Sequence, residues 1–230
     1  MSSFKFSSLV RCLFPFAASR NNDAQKEEDG AEEANVLKKD SVYIQDVNGK
    51  LWKTEEWDDS VKPNAIAVIA DETKFLIALT QAPSKKALCN VSHAPLEEYM
   101  VSHSREEAMD DYDGAGNTEK IIMVEASKAF AAGYCDNFIF PDGKTRGYLP
   151  SLGQLVIAYR NKVEITFALR KCGGDAMVTG NYWSSTFYCS TSYGLCRTCW
   201  SFDWCGTATT SWVVYDYQVR PFADFQVKAN

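Results

Sequence analysis

The chain has 230 residues, of which 46% are hydrophobic and 13% aromatic, enough apolar material for the core of one sizeable domain. Its formal net charge of −6 and its pI of about 5.1 disfavour nucleic acid as a partner, because phosphate binding needs a basic surface. No apolar run is long enough to cross a bilayer as a helix, so we expect no transmembrane segment.

Residues 1–40 are predicted to be a disordered leader and acidic linker. Within residues 21–40, seven acidic side chains and three lysines accompany almost no apolar residues, a composition typical of disordered segments. Met1–Arg20 contains a short apolar patch, but Arg11 and Pro15 interrupt it, which favours a flexible leader over a cleaved signal peptide.

The folded domain, residues 41–230, begins with two predicted β-hairpins. Apolar β-forming residues on either side of the Asn48-Gly49 turn predict the first hairpin, and a polar turn between two apolar runs predicts the second. The four predicted strands are Val42–Asp46, Leu51–Lys53, Ala65–Ala70 and Phe75–Leu79.

Residues 81–117 form a polar stretch that predicts a long surface excursion with a short helix at Leu96–Met100. Asp111-Tyr112-Asp113-Gly114 resembles part of a calcium loop, but the later ligands and the bidentate glutamate are absent, so we expect no metal there. His93 and His103 have no partner at a metal-ligand spacing and are interpreted as surface histidines.

Two amphipathic helices are predicted after this excursion. The first begins at Asn117-Thr118 and ends at Gly133. The second has Ser151 as its N-cap, with Gln154 completing a capping box, and runs through Leu169 to the stop signal at 172–174. Trp200, Phe202 and Trp204 alternate as a half-buried strand would, and Val213–Val219 is the last predicted strand. This order of strands, helices and strands predicts an α+β fold.

Residues 187–217 have an unusual composition. The run holds nine aromatic residues, four of the eight cysteines and many serines and threonines, but no Lys, Glu, Gln or Met. Tyr, Ser, Gly and Asp are the residues that antibody loops use for adaptable contacts at low entropic cost. The composition therefore indicates a binding surface.

Several phrases resemble a class of C-type-lectin-like domains common in gut bacteria and their phages. They are Gly147-Tyr148-Leu149-Pro150-Ser151-Leu152-Gly153-Gln154-Leu155, Gly173-Gly174, Tyr182-Trp183-Ser184-Ser185-Thr186 and Val219-Arg220-Pro221-Phe222. Asn48–Trp52 and Phe75–Leu79 are also similar to that class. The resemblance covers about residues 41–228 and implies two helices packed on a small antiparallel sheet. It also implies a long irregular C-terminal ligand-binding region and a relationship to the fold of formylglycine-generating enzymes.

Some members of this class are the variable proteins of diversity-generating retroelements, in which a reverse transcriptase randomises the adenines of a C-terminal repeat. Asparagine codons randomised in this way still end in a pyrimidine, so they cannot encode Lys, Glu, Gln, Met or Trp. The first four residue types are absent from 187–217, which favours diversification over drift. Trp200, Trp204 and Trp212 are the exceptions and are interpreted as fixed scaffold residues.

The residues expected to contact a ligand are the small, polar and aromatic residues of this run other than its tryptophans. They are Phe187, Tyr188, Ser190, Thr191, Tyr193, Leu195, Arg197, Ser201, Asp203, Thr207, Thr209 and Tyr215. The expected scaffold residues are Trp183, Trp200, Trp204, Trp212 and Arg220. For each single aromatic residue, packing in the core remains an equal alternative.

The chemistry of the run does not favour catalysis, a metal or a cofactor. Cys196 and Cys199 have zinc-ligand spacing, but no second such pair follows; a disulfide is the stronger alternative, and unpaired thiols are the simplest interpretation. Ser184 has no histidine near it in sequence. The resemblance places no catalytic cysteine pair on Cys199 and Cys205, and the calcium-dependent sugar motifs of true lectins are absent.

The sequence therefore predicts a non-enzymatic display protein that binds a protein or glycan ligand on a cell surface. The resemblance implies a location on a phage tail or on the bacterial surface. It allows a homo-oligomer, since related phage proteins are displayed as multimers, but it does not fix the oligomeric state. The alternative is an invariant adhesive or structural domain of a surface protein or filament.

Overall fold

The computed structural model describes residues 40–90, 99, 101–189 and 198–225. In these residues, nine β-strands and five α-helices form an α+β arrangement with two sheets. The strands are β1 Ser41–Asp46, β2 Leu51–Trp52, β3 Pro63–Ile69, β4 Lys74–Ala78, β5 Val101–Ser102, β6 Asn181–Tyr188, β7 Thr198–Asp203, β8 Thr207–Trp212 and β9 Phe222–Ala223. The helices are α1 Arg105–Met109, α2 Gly114–Glu125, α3 Phe130–Asp136, α4 Leu152–Arg160 and α5 Lys162–Lys171.

The first sheet contains both predicted hairpins and has the order β2-β1-β3-β4-β9, with every pair antiparallel. The Asn48-Gly49 turn connects β1 to β2, and Gly49 has the positive φ of 86° that such a turn requires. β9 pairs with β4 through Ile77 and Phe222, so the last strand closes the sheet that the first strand begins.

The second sheet has the order β5-β6-β7-β8. β5 runs parallel to β6, whereas β6, β7 and β8 are successive antiparallel neighbours. This sheet contains most of the described part of residues 187–212, so it positions much of the predicted binding region.

Two of the three clusters of buried residues in the described chain hold the sheets and helices together. The larger one joins the first sheet to α4, α5 and one face of β7, where Trp200 and Phe202 pack. The second lies against the other face of the second sheet and includes Ile121, Trp183 and Phe187. Each cluster removes large apolar side chains from water, which is the main favourable term in folding.

The helices follow the sequence prediction in one place and depart from it in others. The capping box of α4 is confirmed: the amide of Gln154 donates to Ser151 Oγ, and the amide of Ser151 donates to Gln154 Oε1. The predicted continuous helix after it is wrong, since Asn161 leaves helical geometry (φ −103°, ψ 20°) and separates α4 from α5.

The first predicted helix is also misplaced. It begins at Gly114 because the Asp113 side chain caps it by accepting the amide of Gly116 at 2.8 Å. It ends at Glu125, where Ala126 takes a positive φ of 48°, and α3 then runs through Gly133.

The structure also departs from the predictions for the surface excursion, the last strand and the number of helices and sheets. The surface excursion contains α1, which sequence reasoning missed, while the helix predicted at Leu96–Met100 lies outside the described residues except for Tyr99. The predicted strand Val213–Val219 is wrong, because a turn follows Trp212 and only isolated bridges form at Tyr217 and Gln218. In place of two helices on one sheet, the described chain has five helices and two sheets.

The predicted leader and linker lie outside the described residues up to residue 39. Asp40 already belongs to the folded domain, because Arg160 Nε lies 2.7 Å from Asp40 Oδ2, and Arg160 also contacts Glu72 at 3.2 Å. None of the described helices has both the length and the apolar character needed to cross a membrane.

Candidate binding surface

The register of β6, β7 and β8 places most described ligand candidates on one face of the second sheet. Ser201 pairs with Thr209, and Asp203 pairs with Thr207. Directly opposed residues of an antiparallel pair point to the same side, so these four side chains share a face with Ser211. We call this set of five residues the polar face.

Hydroxyl groups connect the polar face to the segment that follows β8. Ser201 Oγ lies 3.2 Å from Thr209 Oγ1 and 3.2 Å from Ser211 Oγ, and it donates to the carbonyl of Thr209. Tyr217 OH donates to Ser211 Oγ at 3.0 Å, and the Tyr215 ring meets the Tyr217 ring edge-on at 6.3 Å. Tyr215, half exposed, thereby extends the polar face.

The exposed part of the polar face is uncharged apart from one carboxylate. Thr207 and Thr209 are exposed and Asp203 is half-buried, whereas Ser201 and Ser211 are buried. Hydroxyl groups both donate and accept, so the face can bind polar groups of either kind.

Two ligand candidates are corrected by their burial. Phe187 is fully buried and stacks on Tyr99 with ring centroids 4.4 Å apart, in the second core cluster that also contains Trp183. Ser201 is also fully buried, beneath Thr209, Ser211 and their hydrogen bonds. Neither side chain is a surface contact.

Tyr188 and Trp212 lie on the opposite face of the sheet. Tyr188 pairs with Thr198, which pairs in turn with Trp212, and the Tyr188 ring meets the Trp200 ring edge-on at 5.6 Å. Trp212 was predicted to be a scaffold residue, but it is 48% exposed because β8 is the edge strand. The ligand candidates Ser190, Thr191, Tyr193, Leu195 and Arg197 lie outside the described residues.

The remaining predicted scaffold tryptophans are buried. Trp183 Nε1 donates to the carbonyl of Lys86 at 2.8 Å, and Trp200 Nε1 donates to Ser102 Oγ at 2.7 Å. These two hydrogen bonds remove the penalty of burying the indole nitrogens. Trp204 packs against the rings of Tyr159 and Tyr182.

Arg220 ties the C-terminal segment to the first sheet. Its guanidinium donates to the carbonyls of Ala78 (2.9 Å), Leu79 (2.7 Å) and Asp175 (2.8 Å). Burial disfavours its charged form and lowers the pKa of Arg220 to about 10. These carbonyl contacts fix the position of the chain just before β9.

The Trp-Ser-Ser-Thr phrase has a role that sequence reasoning missed. Thr186 Oγ1 donates to Asp111 Oδ2 at 2.6 Å and accepts the amide of Leu152 at 3.0 Å. The buried carboxylate of Asp111 also accepts from Asn117 Nδ2 and from the amide of Asp113. Its oxygens are therefore committed to protein donors, which supports the prediction against a calcium loop here.

The described residues contain no group of three or more His, Cys, Asp or Glu side chains that could hold a metal ion. Cys196 lies outside them, so the zinc spacing at Cys196 and Cys199 is tested only in part. Cys205 is an exposed free thiol, whereas Cys89 and Cys135 are buried free thiols. Burial, with a smaller contribution from the Glu125 charge, raises the pKa of Cys89 to about 12. His103 is exposed, with Nδ1 3.2 Å from the carbonyl of Cys189.

A groove of about 630 Å³, which sequence reasoning missed, lies between Lys86 and α3. Its walls are mainly apolar and aromatic, including Phe130, Tyr134 and Ile139, and Lys86 is its one charged lining residue among those described. Ligand pockets usually add several convergent polar groups to such walls. The groove therefore remains secondary to the polar face as a candidate site.

No family model, no curated protein and no solved structure matches this chain.

Proposed function

We propose that this chain is a non-enzymatic display protein that binds a protein or glycan ligand through the surface formed by residues 187–217. In this proposal the surface is diversified by a retroelement, and the domain is of the C-type-lectin-like class that its sequence resembles. It is carried on a phage tail or a bacterial surface.

The observation that carries the proposal is the composition of the exposed positions. In the described part of 187–217, every exposed side chain except Trp212 is one that a randomised, pyrimidine-ending codon can encode. The exposed residues are Cys205, Thr207, Thr209, Thr210, Trp212, Val214, Tyr215 and Asp216. Solvent exposure by itself gives no reason to exclude Lys, Glu and Gln, which are common on surfaces.

The polar face has the chemistry of an adaptable binding surface. Tyr215 offers aromatic contact area with a hydroxyl group at its tip, and Thr207 and Thr209 offer hydrogen bonds with little side-chain entropy to lose. Beside them, Trp183 packs on the Tyr217 ring, and the hydroxyl groups of Ser201, Ser211 and Tyr217 form a network. Such a surface can change its exposed residues without removing a large part of the core.

Two features support the C-type-lectin-like assignment. β1 and β9 lie in the same sheet, with β3 and β4 between them, so segments near both ends of the described chain build one sheet. The phrase 182–186 and Arg220 hold the second sheet and the C-terminal segment in place through Asp111, Ala78 and Leu79. The phrases that carry the resemblance therefore make structural contacts.

Sequencing of the genomic locus tests the proposal. We expect a second copy of the 187–217 coding repeat that differs from the first only at adenines, close to a reverse transcriptase gene. A locus without a template repeat would refute diversification.

The second candidate is an invariant adhesive or structural domain of a surface filament. It is favoured by the uncharged edge of β8, which suits permanent assembly better than reversible ligand binding. Isolates with identical residues 187–217 would support this candidate and contradict the first.

A further inference from the structure

The outer side of β8 is an open strand edge in the part of the chain that the structure describes. β8 is the last strand of its sheet, and β7 is its neighbour on the inner side. Thr207–Trp212 contains no charged residue and no proline, the features that usually prevent an edge strand from pairing. Threonine and tryptophan also favour extended backbone. β8 is therefore suited to accept another strand.

Two hydrogen bonds show which backbone groups of β8 face outward. The carbonyl of Trp212 accepts the amide of Tyr215 at 3.0 Å, so it is used outside the pairing with β7. The carbonyl of Thr209 instead accepts Ser201 Oγ from β7. Successive residues of a strand direct their backbone groups to alternate sides. Ala208 and Thr210 therefore share the direction of Trp212, away from β7.

We propose that β8 pairs antiparallel with β8 of a second copy of this chain, across a two-fold axis beside Thr209. Ala208 of one copy then exchanges two hydrogen bonds with the partner's Thr210, and Thr210 exchanges two with the partner's Ala208. Thr209 lies opposite the partner's Thr209, and threonine pairs are favourable across strands. Because the strand is uncharged, no like charges meet in this isologous contact.

This pairing joins two four-stranded sheets into one sheet of eight strands. Main-chain hydrogen bonds form in the plane of the sheet, so Asp203, Thr207 and Tyr215 remain accessible on its face. If this face binds the ligand proposed above, the dimer presents two binding faces side by side and gains avidity. Backbone pairing also tolerates replacement of side chains by other uncharged, non-proline ones, which a specific side-chain contact would not.

The mass of the full chain in solution tests the dimer. Light scattering coupled to size-exclusion chromatography should give twice the 25.7 kDa of one chain, with dissociation on dilution. Thr210→Pro removes an outward amide and should give a monomer with an unchanged circular dichroism spectrum, since edge strands tolerate proline on their open side. Thr210→Val keeps the amide and should remain dimeric. A wild-type monomer at all concentrations, or a dimer of Thr210→Pro, would overturn the proposal.

The two-fold axis beside Thr209 allows a second test that does not depend on proline. Thr209→Lys and Thr209→Glu each place like charges opposite one another, so each variant alone should be monomeric. An equal mixture of the two should restore the dimer. Dimers of Thr209→Lys alone, or monomers in the mixture, would contradict the pairing. These measurements of mass test only the dimer, whereas the template repeat at the genomic locus tests the proposed function. The dimer can therefore be refuted while the proposed function stands, and the reverse.

Discussion

Trp183→Ala removes the residue on which the proposed binding surface rests. The indole is 1% exposed, packs on the Tyr217 ring at 4.6 Å, and donates Nε1–H to the carbonyl of Lys86 at 2.8 Å. Truncation of a buried tryptophan costs about 3–5 kcal/mol of unfolding free energy. The carbonyl of Lys86 keeps the amide of Tyr217 as a donor at 3.0 Å, so the lost indole hydrogen bond adds little to this cost.

The expected loss is therefore about 3–5 kcal/mol, which for a domain of this size lowers the Tm by roughly 6–20 °C. Trp212→Ala is the matched control, because Trp212 is 48% exposed on the edge strand. It should cost about 1 kcal/mol or less. Urea denaturation followed by circular dichroism measures both values. A loss below about 1 kcal/mol for Trp183→Ala, or equal losses for the two variants, would refute the division between scaffold and surface.

Three further predictions follow from the buried groups. Thr186→Val should lower the unfolding free energy by about 2–3 kcal/mol in urea denaturation, because Asp111 loses a donor at 2.6 Å and the amide of Leu152 loses its acceptor. Thr207→Val, at an exposed position, is the control and should leave the unfolding free energy unchanged. A thiol reagent should label Cys205 in the native protein and label Cys89 only on unfolding, as read from the mass of the labelled peptides; a label on Cys89 in the native protein would contradict its burial. The unfolding free energy should fall as pH rises above about 9, because the folded protein holds the Cys89 proton up to about 12 while the unfolded chain releases it at its ordinary pKa. Cys89→Ala should reduce that slope, and an unchanged slope would show that Cys89 does not cause it.

Local signals in the sequence were sufficient for the hairpins and for one helix start. The Asn48-Gly49 turn needs a positive φ, and the Ser151 and Gln154 capping box satisfies donors within four residues. The alternation of Trp200 and Phe202 likewise predicts that both side chains lie on one face of a strand, and both pack in the larger core cluster. Each of these features depends on neighbours in the chain.

The errors arose where distant residues decide the outcome. The structural role of Asp111 was missed, because its partner Thr186 lies 75 residues away. Phe187 was assigned to the surface, but it stacks on Tyr99, a distant residue in the chain, within the second core cluster. Trp212 was assigned to the scaffold, yet its exposure depends on β8 being the last strand of its sheet. Tertiary context of this kind overrides residue type.

The most direct test of the account is the pattern of variation at residues 187–217 among sequenced copies of this gene. Diversification predicts substitutions confined to this run, present at Thr207, Thr209 and Tyr215, and confined to positions where a template repeat has adenine. Trp183 and Arg220, outside the run, should remain constant. Identical sequences throughout 187–217, or substitutions spread evenly over residues 41–230, would contradict a diversified binding surface.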